Sequence, residues 1–278
     1  MSVIVFTVIL LLGSYFAGLL GSLTGLGGGF IIIPLLTILL KVDIHYAIGA
    51  SLVSVIATSS GSAAAYVKEG ITNIRLGMFL EIATTAGAFI GAILAMYVST
   101  HIIAIVFGTV LIFSAIMALR NKVEEIVHKE TFLSKKLRLG GSYPINDEMV
   151  DYNVTNVAGG FFMMVFAGII SGLLGIGSGA LKVVAMDGIM RIPFKVSTTT
   201  SNFMIGVTAA AGAVVYFQRG YIHPGIAMPI VIGVLLGALS GSKILLGTPS
   251  SIWLRRLFAI VVTVLSIQMI YNGIKGNI

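Results

Sequence analysis

Cysteine is missing from the 278-residue sequence, and charged residues are scarce. Without cysteine the chain can form neither disulfides nor thiolate metal sites, and cysteine usage gives no information on its redox compartment. Only 10% of the residues are charged whereas 57% are hydrophobic, and the mean hydropathy is +1.06. Soluble domains use roughly 25% charged residues. The composition therefore excludes an ordinary soluble protein and indicates a chain embedded in lipid.

Catalytic and nucleotide-binding motifs are missing as well. The sequence has no P-loop and no His-Glu-x-x-His, and Ile176 precedes Gly177-Ser178-Gly179 where a Gly-x-Ser-Gly protease has glycine. The net charge of +7 offers no basic face for nucleic acid, because lysine and arginine fall mainly at the ends of apolar runs. The sequence thus predicts neither an enzyme nor a nucleic-acid-binding protein, and it predicts no cofactor or metal.

Long apolar runs fill most of the chain. Most of them reach the roughly 20 residues that an α-helix needs to cross a bilayer, and alternating barrel-strand patterns are absent. Two shorter runs each follow a glycine-rich motif, as a helix broken inside the membrane would. The runs are 3–23, 30–40, 46–67, 76–98, 102–119, 157–174, 180–190, 196–217, 225–246 and 253–274.

The chain carries a near-copy of itself at an offset of 150 residues. This repeat predicts two homologous transmembrane halves, residues 1–119 and 154–278, joined by a polar linker, 120–153. Duplicated apolar units with a glycine-rich break are typical of secondary transporters. The matched pairs are Gly25/Gly175, Gly27/Gly177, Gly29/Gly179, Ser51/Ser201, Tyr66/Tyr216, Gly70/Gly220, Gly87/Gly237 and Gly91/Gly241.

Two topologies fit these runs, with eight or ten crossings. The linker is rich in lysine and arginine, which predicts that it is cytoplasmic. With four crossings per half, both halves face the same way and four basic residues lie outside, Arg191, Lys195, Arg255 and Arg256. With five crossings, the second half is inverted, those four become cytoplasmic, and the positive-inside rule is better satisfied. The basic residues then left outside are Lys41, Arg219 and Lys275.

The glycine motifs carry a family resemblance. Residues 25–30 (GLGGGF) followed by Pro34, residues 47–52 (AIGASL) and residues 172–180 (GLLGIGSGA) together resemble the TauE/SafE family of anion transporters. The resemblance covers the whole chain. It implies a multi-pass protein of a bacterial or archaeal plasma membrane that moves sulfite, sulfoacetate or other sulfur-containing anions. The direction of transport, a proton or sodium as coupling ion, and a homo-oligomeric state all stay open.

The duplicated glycines are suited to holding an anion. Consecutive glycines let the backbone leave helical geometry, and the helix that restarts after them directs N–H groups and the positive end of its dipole at the break. Two breaks that meet would hold one small oxyanion, with neutral hydroxyl and amide donors around it. Alternatively, the glycines only permit tight helix packing. The candidate substrate-binding residues are Thr24, Gly27, Gly28, Gly29, Ser51, Gly177, Ser178, Gly179, Lys182, Ser201 and Asn202.

Charged residues inside the apolar runs need partners in lipid. Lys182 closely follows the second glycine motif, and its counterpart in the first half is Ile32. A bound anion or Asp187 is expected to neutralise its ammonium, unless the side chain reaches an interface. Glu81 lies nearer the end of its run, where an interfacial or solvated position is expected.

The sequence therefore predicts an all-α polytopic membrane protein with 8–10 transmembrane helices in two halves, favoured to be inverted repeats. Its glycine-broken helices are expected to meet at a central anion site that works by alternating access. A passive anion channel of the same fold, or a transporter of another small anion, is the alternative.

Overall fold

The computed structural model describes residues 3–24, 27–68, 70–119, 131–145, 148–247 and 252–276, which are mostly helical. Helices α2 and α8 each continue without a gap into a π-helical turn, Leu35–Leu39 and Val184–Ile189 respectively. The linker contributes an antiparallel hairpin of β1 (Gly141–Ile145) and β2 (Glu148–Tyr152). The helices are α1 (Val3–Thr24), α2 (Gly29–Pro34), α3 (Ile44–Lys68), α4 (Ile74–Ala95), α5 (Thr100–Leu119), α6 (Phe132–Leu137), α7 (Val157–Leu174), α8 (Gly179–Val183), α9 (Phe194–Gln218), α10 (Pro224–Gly247) and α11 (Ile252–Lys275).

Seven of the helices in the described parts of the chain are long and apolar enough to cross a membrane: α1, α3, α4, α5, α7, α9 and α10. Their outer faces carry large exposed hydrophobic side chains, as helices in contact with lipid do, among them Phe16, Ile82 and Phe162, which are 59%, 67% and 74% exposed. The prediction of an all-α, multi-pass membrane protein is confirmed.

Glycines let two pairs of helices pack backbone against backbone. Helix α4 packs on α7, where a Cβ at Gly87 would clash with the carbonyl oxygen of Val165. Helix α1 packs on α10, where a Cβ at Gly237 would clash with the carbonyl oxygen of Tyr15. The second contact is the first one moved by 150 residues, with the two halves of the chain exchanged.

Helices α3 and α9 form the centre of the molecule and run antiparallel. Near one end of the contact the Ser59 hydroxyl donates to the backbone carbonyl of Asn202 at 2.6 Å. Further along, Leu52 lies against Gly212. Residue numbers therefore rise along one helix as they fall along the other. Helix α3 also contacts α10, and α9 also contacts α4, so these two helices hold both backbone-packed pairs.

Helices α5 and α11 form a second antiparallel pair. Gly108 lies against the carbonyl oxygen of Ser266, whereas Gly273 lies against that of His101. In the sequence α5 and α11 occupy the same place in the two halves, as α3 and α9 do.

The hairpin of the linker is attached to the helices through Asn73, at the start of α4. The Asn73 amide accepts from the Leu76 N–H at 2.9 Å, which caps α4, and donates to the Leu139 carbonyl and the Tyr152 hydroxyl, both at 2.8 Å. The backbone N–H of Asn73 donates to the Thr200 hydroxyl at 3.1 Å. Burial raises the pKa of Tyr152 to about 12, and the hydrogen bond from Asn73 lowers that pKa by a smaller amount. The linker therefore lies on the same side of the molecule as the α3–α4 corner.

Candidate functional site

Four non-helical residues separate α7 from α8. Gly175 and Gly177 have φ values of +69°, and Ser178 has a φ of +44°. Only glycine adopts such angles without strain, so the two glycines are needed for the backbone to turn here. The Ser178 hydroxyl donates to the Ala167 carbonyl at 2.6 Å, which ties the turn back to α7.

The corresponding segment of the first half lies between α1 and α2. Gly27 has a φ of +77°. Gly28 packs on α1, where a Cβ at Gly28 would lie 3.3 Å from the Ala17 carbonyl oxygen. Gly29 is the first residue of α2. Thr24 ends α1, but its side chain lies outside the described part of the structure.

The two glycine segments come together between α3 and α9. A Cβ at Gly27 would lie 3.3 Å from Val55 and 3.4 Å from Ile205, and a Cβ at Gly177 would lie 3.0 Å and 3.2 Å from the same two side chains. Val55 and Ile205 are themselves 150 residues apart. The segments thus approach one another around the middle of the two central helices.

The two serines that follow the motifs also point at the glycine segments. The Ser51 hydroxyl donates to the Gly175 carbonyl at 2.7 Å, so a side chain of the first half bonds the turn of the second. The Ser201 hydroxyl donates to the Gly179 carbonyl at 3.2 Å. Gly29 packs so closely on Ser51 that a Cβ would clash with the hydroxyl oxygen, and it would lie 2.9 Å from the Gly175 carbonyl oxygen.

Asn202 is fully buried beside this site. Neither its amide oxygen nor its amide nitrogen has a hydrogen-bond partner within the described ranges. Leaving a buried polar group without a hydrogen-bond partner lowers stability by about 1–3 kcal/mol, so helix packing alone does not explain an amide at this position. A crevice with room for about one water molecule adjoins the second glycine segment. Its lining includes Phe30, Ile176, Ser178 and Gly179.

Lys182 lies in α8, fully buried, and its ammonium donates to the Thr208 hydroxyl of α9. That hydroxyl in turn donates to Glu81 Oε1 on α4 at 2.5 Å, and Glu81 Oε2 lies 3.8 Å from the ammonium nitrogen. The structure thus puts a different carboxylate beside Lys182 from the one expected, Asp187. The interfacial alternative for Lys182 is wrong, since its side chain is 0% exposed.

The interfacial or solvated position expected for Glu81 is also wrong, because the residue is 7% exposed. Glu81 lies about two helical turns inside the start of α4, and Thr85 on the same helix also donates to its Oε1, at 3.1 Å. Sequence reasoning missed Glu81 and Thr208 as partners of Lys182. An acid within an apolar run was the available signal for the first; Thr208 looked like any other membrane threonine.

The part of the chain that the structure describes contains no group of three histidine or acidic side chains that could hold a metal ion. Its buried polar groups are hydroxyls, amides, glycine backbone and one ion pair. Such a set is suited to binding a small polar or charged solute.

Comparison with known proteins identifies the family. The model of the sulfite exporter TauE/SafE family matches residues 10–269. The probable membrane transporter protein YunE of Bacillus subtilis is 30% identical over 97% of this chain and 98% of its own length. A probable membrane transporter protein of Methanocaldococcus jannaschii is 25% identical over 85% of each chain. No solved structure was found to match. The chain is therefore a membrane transporter, and it belongs to the sulfite exporter TauE/SafE family.

Proposed function

We propose that this protein is a secondary transporter of small sulfur-containing oxyanions, such as sulfite, sulfoacetate or other organosulfonates, in the plasma membrane of a bacterium or archaeon. The observation that carries the proposal is the meeting of both glycine segments at Val55 and Ile205, between the two central helices. The match to the sulfite exporter family supports the substrate class. Lipid and the anion are the partners this function needs.

The anion is held where the two short helices begin. Helix geometry leaves the N–H groups of a first turn without acceptors inside the helix, and the dipole makes that end positive. The first intrahelical bond of α8 runs from the Lys182 N–H to the Ser178 carbonyl at 3.1 Å, so the amides before Lys182 belong to that turn. The hydroxyls of Ser51 and Ser201 donate to the anion after rotating away from glycine carbonyls, and the Asn202 amide supplies further donors.

Transport proceeds by alternating access of two inverted halves. Two observations support the inversion: helices that correspond in the repeat, α3 with α9 and α5 with α11, run antiparallel, and the glycine contacts of α4–α7 recur in α1–α10 with the halves exchanged. Halves of this kind have two equivalent ways of packing around one central site. The two packings open the site to opposite sides of the membrane.

The linker side of the molecule is cytoplasmic. Asn73 ties the α3–α4 corner to the linker, and the Thr155 N–H donates to the Met190 carbonyl at 3.1 Å, which ties in the corner before α9. The positive-inside rule supports this orientation, because many more basic residues lie on that side. The described basic residues are Lys68, Arg75, Lys135, Lys136, Arg138, Arg191, Lys195 and Lys243 on the linker side, and Lys41, Arg219 and Lys275 on the other.

Uptake by the purified full-length protein in liposomes tests this function. We expect sulfite or a short alkyl sulfonate to enter with saturable kinetics and to exchange with unlabelled anion on the far side, because a carrier binds its substrate on each side in turn. Chloride is the control anion. The proposal would be overturned if the folded protein transported none of the sulfur oxyanions with saturable kinetics. Flux without exchange would favour the passive channel.

A further inference from the structure

The ion pair of Glu81 and Lys182 joins the two halves of the molecule. Glu81 belongs to α4 in the first half, whereas Lys182 and Thr208 belong to α8 and α9 in the second. Thr208 bridges the two charges, since it accepts from the ammonium and donates to Glu81 Oε1. All three residues are buried, with Lys182 and Thr208 at 0% exposure.

Packing does not require these charges. Moved by 150 residues, the positions of Lys182 and Glu81 are occupied by Ile32 and Val231, and the counterpart of Thr208 is Thr58. Ile32 is fully buried, and the Thr58 hydroxyl donates to a carbonyl of its own helix at 2.9 Å. The repeat-related position of the same architecture therefore has apolar residues in place of the two charges, and apolar residues often stabilise a fold at least as well as a buried ion pair. The Glu81–Lys182 charges therefore need another explanation.

The carboxylate is incompletely bound. Glu81 Oε2 has no hydrogen-bond partner among the residues described, and it lies 3.8 Å from the ammonium, beyond hydrogen-bond distance. The carboxylate thus balances the charge of the Lys182 ammonium without accepting a hydrogen bond from it. Lys182 itself follows the second glycine segment by one helical turn, close to the site where the proposed function holds the anion.

A bound anion and an ionised Glu81 compete for one ammonium. Two negative charges a few ångströms apart in a poorly solvated site repel strongly, so one of them must be neutralised or leave. The described elements against α4 offer no second cation there. Helix α7 has no titratable side chain, and on α9 Lys195 lies about three and a half turns from Thr208 and Tyr216 about two turns from it. A proton from water is the remaining way to neutralise the carboxylate.

We propose that Glu81 takes up one proton when an oxyanion binds to the Lys182 ammonium, so that proton and anion cross the membrane together. This inference rests on the proposed function and names its coupling ion. Protonated Glu81 keeps its hydrogen bond with Thr208, because the hydroxyl can reorient, while the released ammonium binds the anion. Release of the anion on the other side lets Glu81 return its proton to water and pair with Lys182 again.

Methanesulfonate is the appropriate probe, since it stays ionised across the neutral pH range whereas sulfite titrates. In weakly buffered detergent solution, wild-type protein should take up about one proton per methanesulfonate bound, and over the pH range of that uptake the apparent Kd should rise about tenfold per pH unit. In liposomes an inward proton gradient should drive accumulation, and a sodium gradient should not. Binding without proton uptake, or accumulation driven by sodium, overturns the inference.

Glu81→Gln makes the assignment specific to this carboxylate. We expect its methanesulfonate affinity to become independent of pH and its proton uptake to vanish, while Asp43→Asn, an acid-to-amide change at a residue 52% exposed on the other side, behaves as wild type. Glu81→Gln with unchanged proton uptake overturns the inference. If Glu81→Gln does not fold, the wild-type proton count still decides. Methanesulfonate exchange by wild type tests the proposed function separately, since exchange needs no proton gradient.

Discussion

Asn73 holds three parts of the molecule with one side chain and one backbone N–H. Its amide oxygen caps α4, its amide nitrogen bonds the linker at Leu139 and Tyr152, and its N–H reaches Thr200 of α9. Loss of a helix cap alone costs about 1 kcal/mol, and each unpaired buried partner adds to that cost.

Asn73→Ala should therefore lower the free energy of unfolding by about 2 kcal/mol, and Asn73→Asp by less, because aspartate keeps the cap acceptor and loses only the donors. Thermal unfolding of the three proteins in one detergent measures the order. Protease cleavage of the linker should speed up in both variants. Equal melting temperatures for wild type and Asn73→Ala would contradict this role.

Individual residues also show which parts of the site could be predicted from the sequence. The offset of 150 residues identified the glycines and serines that the structure brings together around Val55 and Ile205. It could not identify the Glu81–Lys182 pair, because that pair breaks the repeat and joins α4 to α8 through a contact 101 residues apart in sequence. Side-chain partners across such distances depend on how helices pack, which hydropathy alone does not determine.

The transmembrane helices could be predicted from the sequence, because lipid imposes their length and hydrophobicity. Hydrophobic runs gave the long helices, since a segment in the bilayer must satisfy its own backbone. The hairpin of β1 and β2 was not predicted, and the polar linker showed no apolar pattern for it. Tyr143 and Tyr152 of that hairpin are buried in one cluster with Leu76 and Leu80 of α4, so its strands are stabilised by packing on the helices rather than by local preference.

At the start of α2, the absence of a side chain is a requirement of packing. A Cβ at Gly29 would clash with the Ser51 hydroxyl and lie 2.9 Å from the Gly175 carbonyl oxygen. Gly29→Ala must therefore push α2 away from the second glycine segment, and overpacking of this kind costs about 1–3 kcal/mol. We expect sulfonate transport to fall about tenfold or more.

Gly61→Ala in α3 is the matched control for Gly29→Ala. Its Cβ would meet the Ala238 Cβ at 3.4 Å, an ordinary contact, and alanine favours the helix. Transport and melting temperature of this variant should equal or exceed those of wild type. The two rates, measured on equal amounts of folded protein in liposomes, compare one added methyl group at two glycines. Similar rates for both variants would count against close packing of the glycine segments.

The molecule as a whole is organised by its pairs of antiparallel counterparts, and this arrangement makes a topological prediction. If the halves are inverted, Lys195 at the start of α9 lies on the same side as Lys136 of the linker, while Lys41 and Lys275 lie on the opposite side. If both halves face the same way, Lys195 and Lys136 lie on opposite sides. All four side chains are exposed, so cysteines placed there are open to reagent.

The chain has no cysteine of its own, so single replacements at these four positions report without background. In intact cells, a membrane-impermeant maleimide should label Lys41→Cys and Lys275→Cys, and it should reach Lys136→Cys and Lys195→Cys only after the membrane is opened. Lys136→Cys is the reference for the cytoplasmic side, because the linker carries the basic residues that orient the chain. Labelling of Lys195→Cys in intact cells, with Lys136→Cys protected, would exclude inverted halves. Labelling of Lys41→Cys together with protection of Lys195→Cys requires that α3 and α9 cross the membrane in opposite directions, which is the inverted arrangement typical of alternating-access transporters.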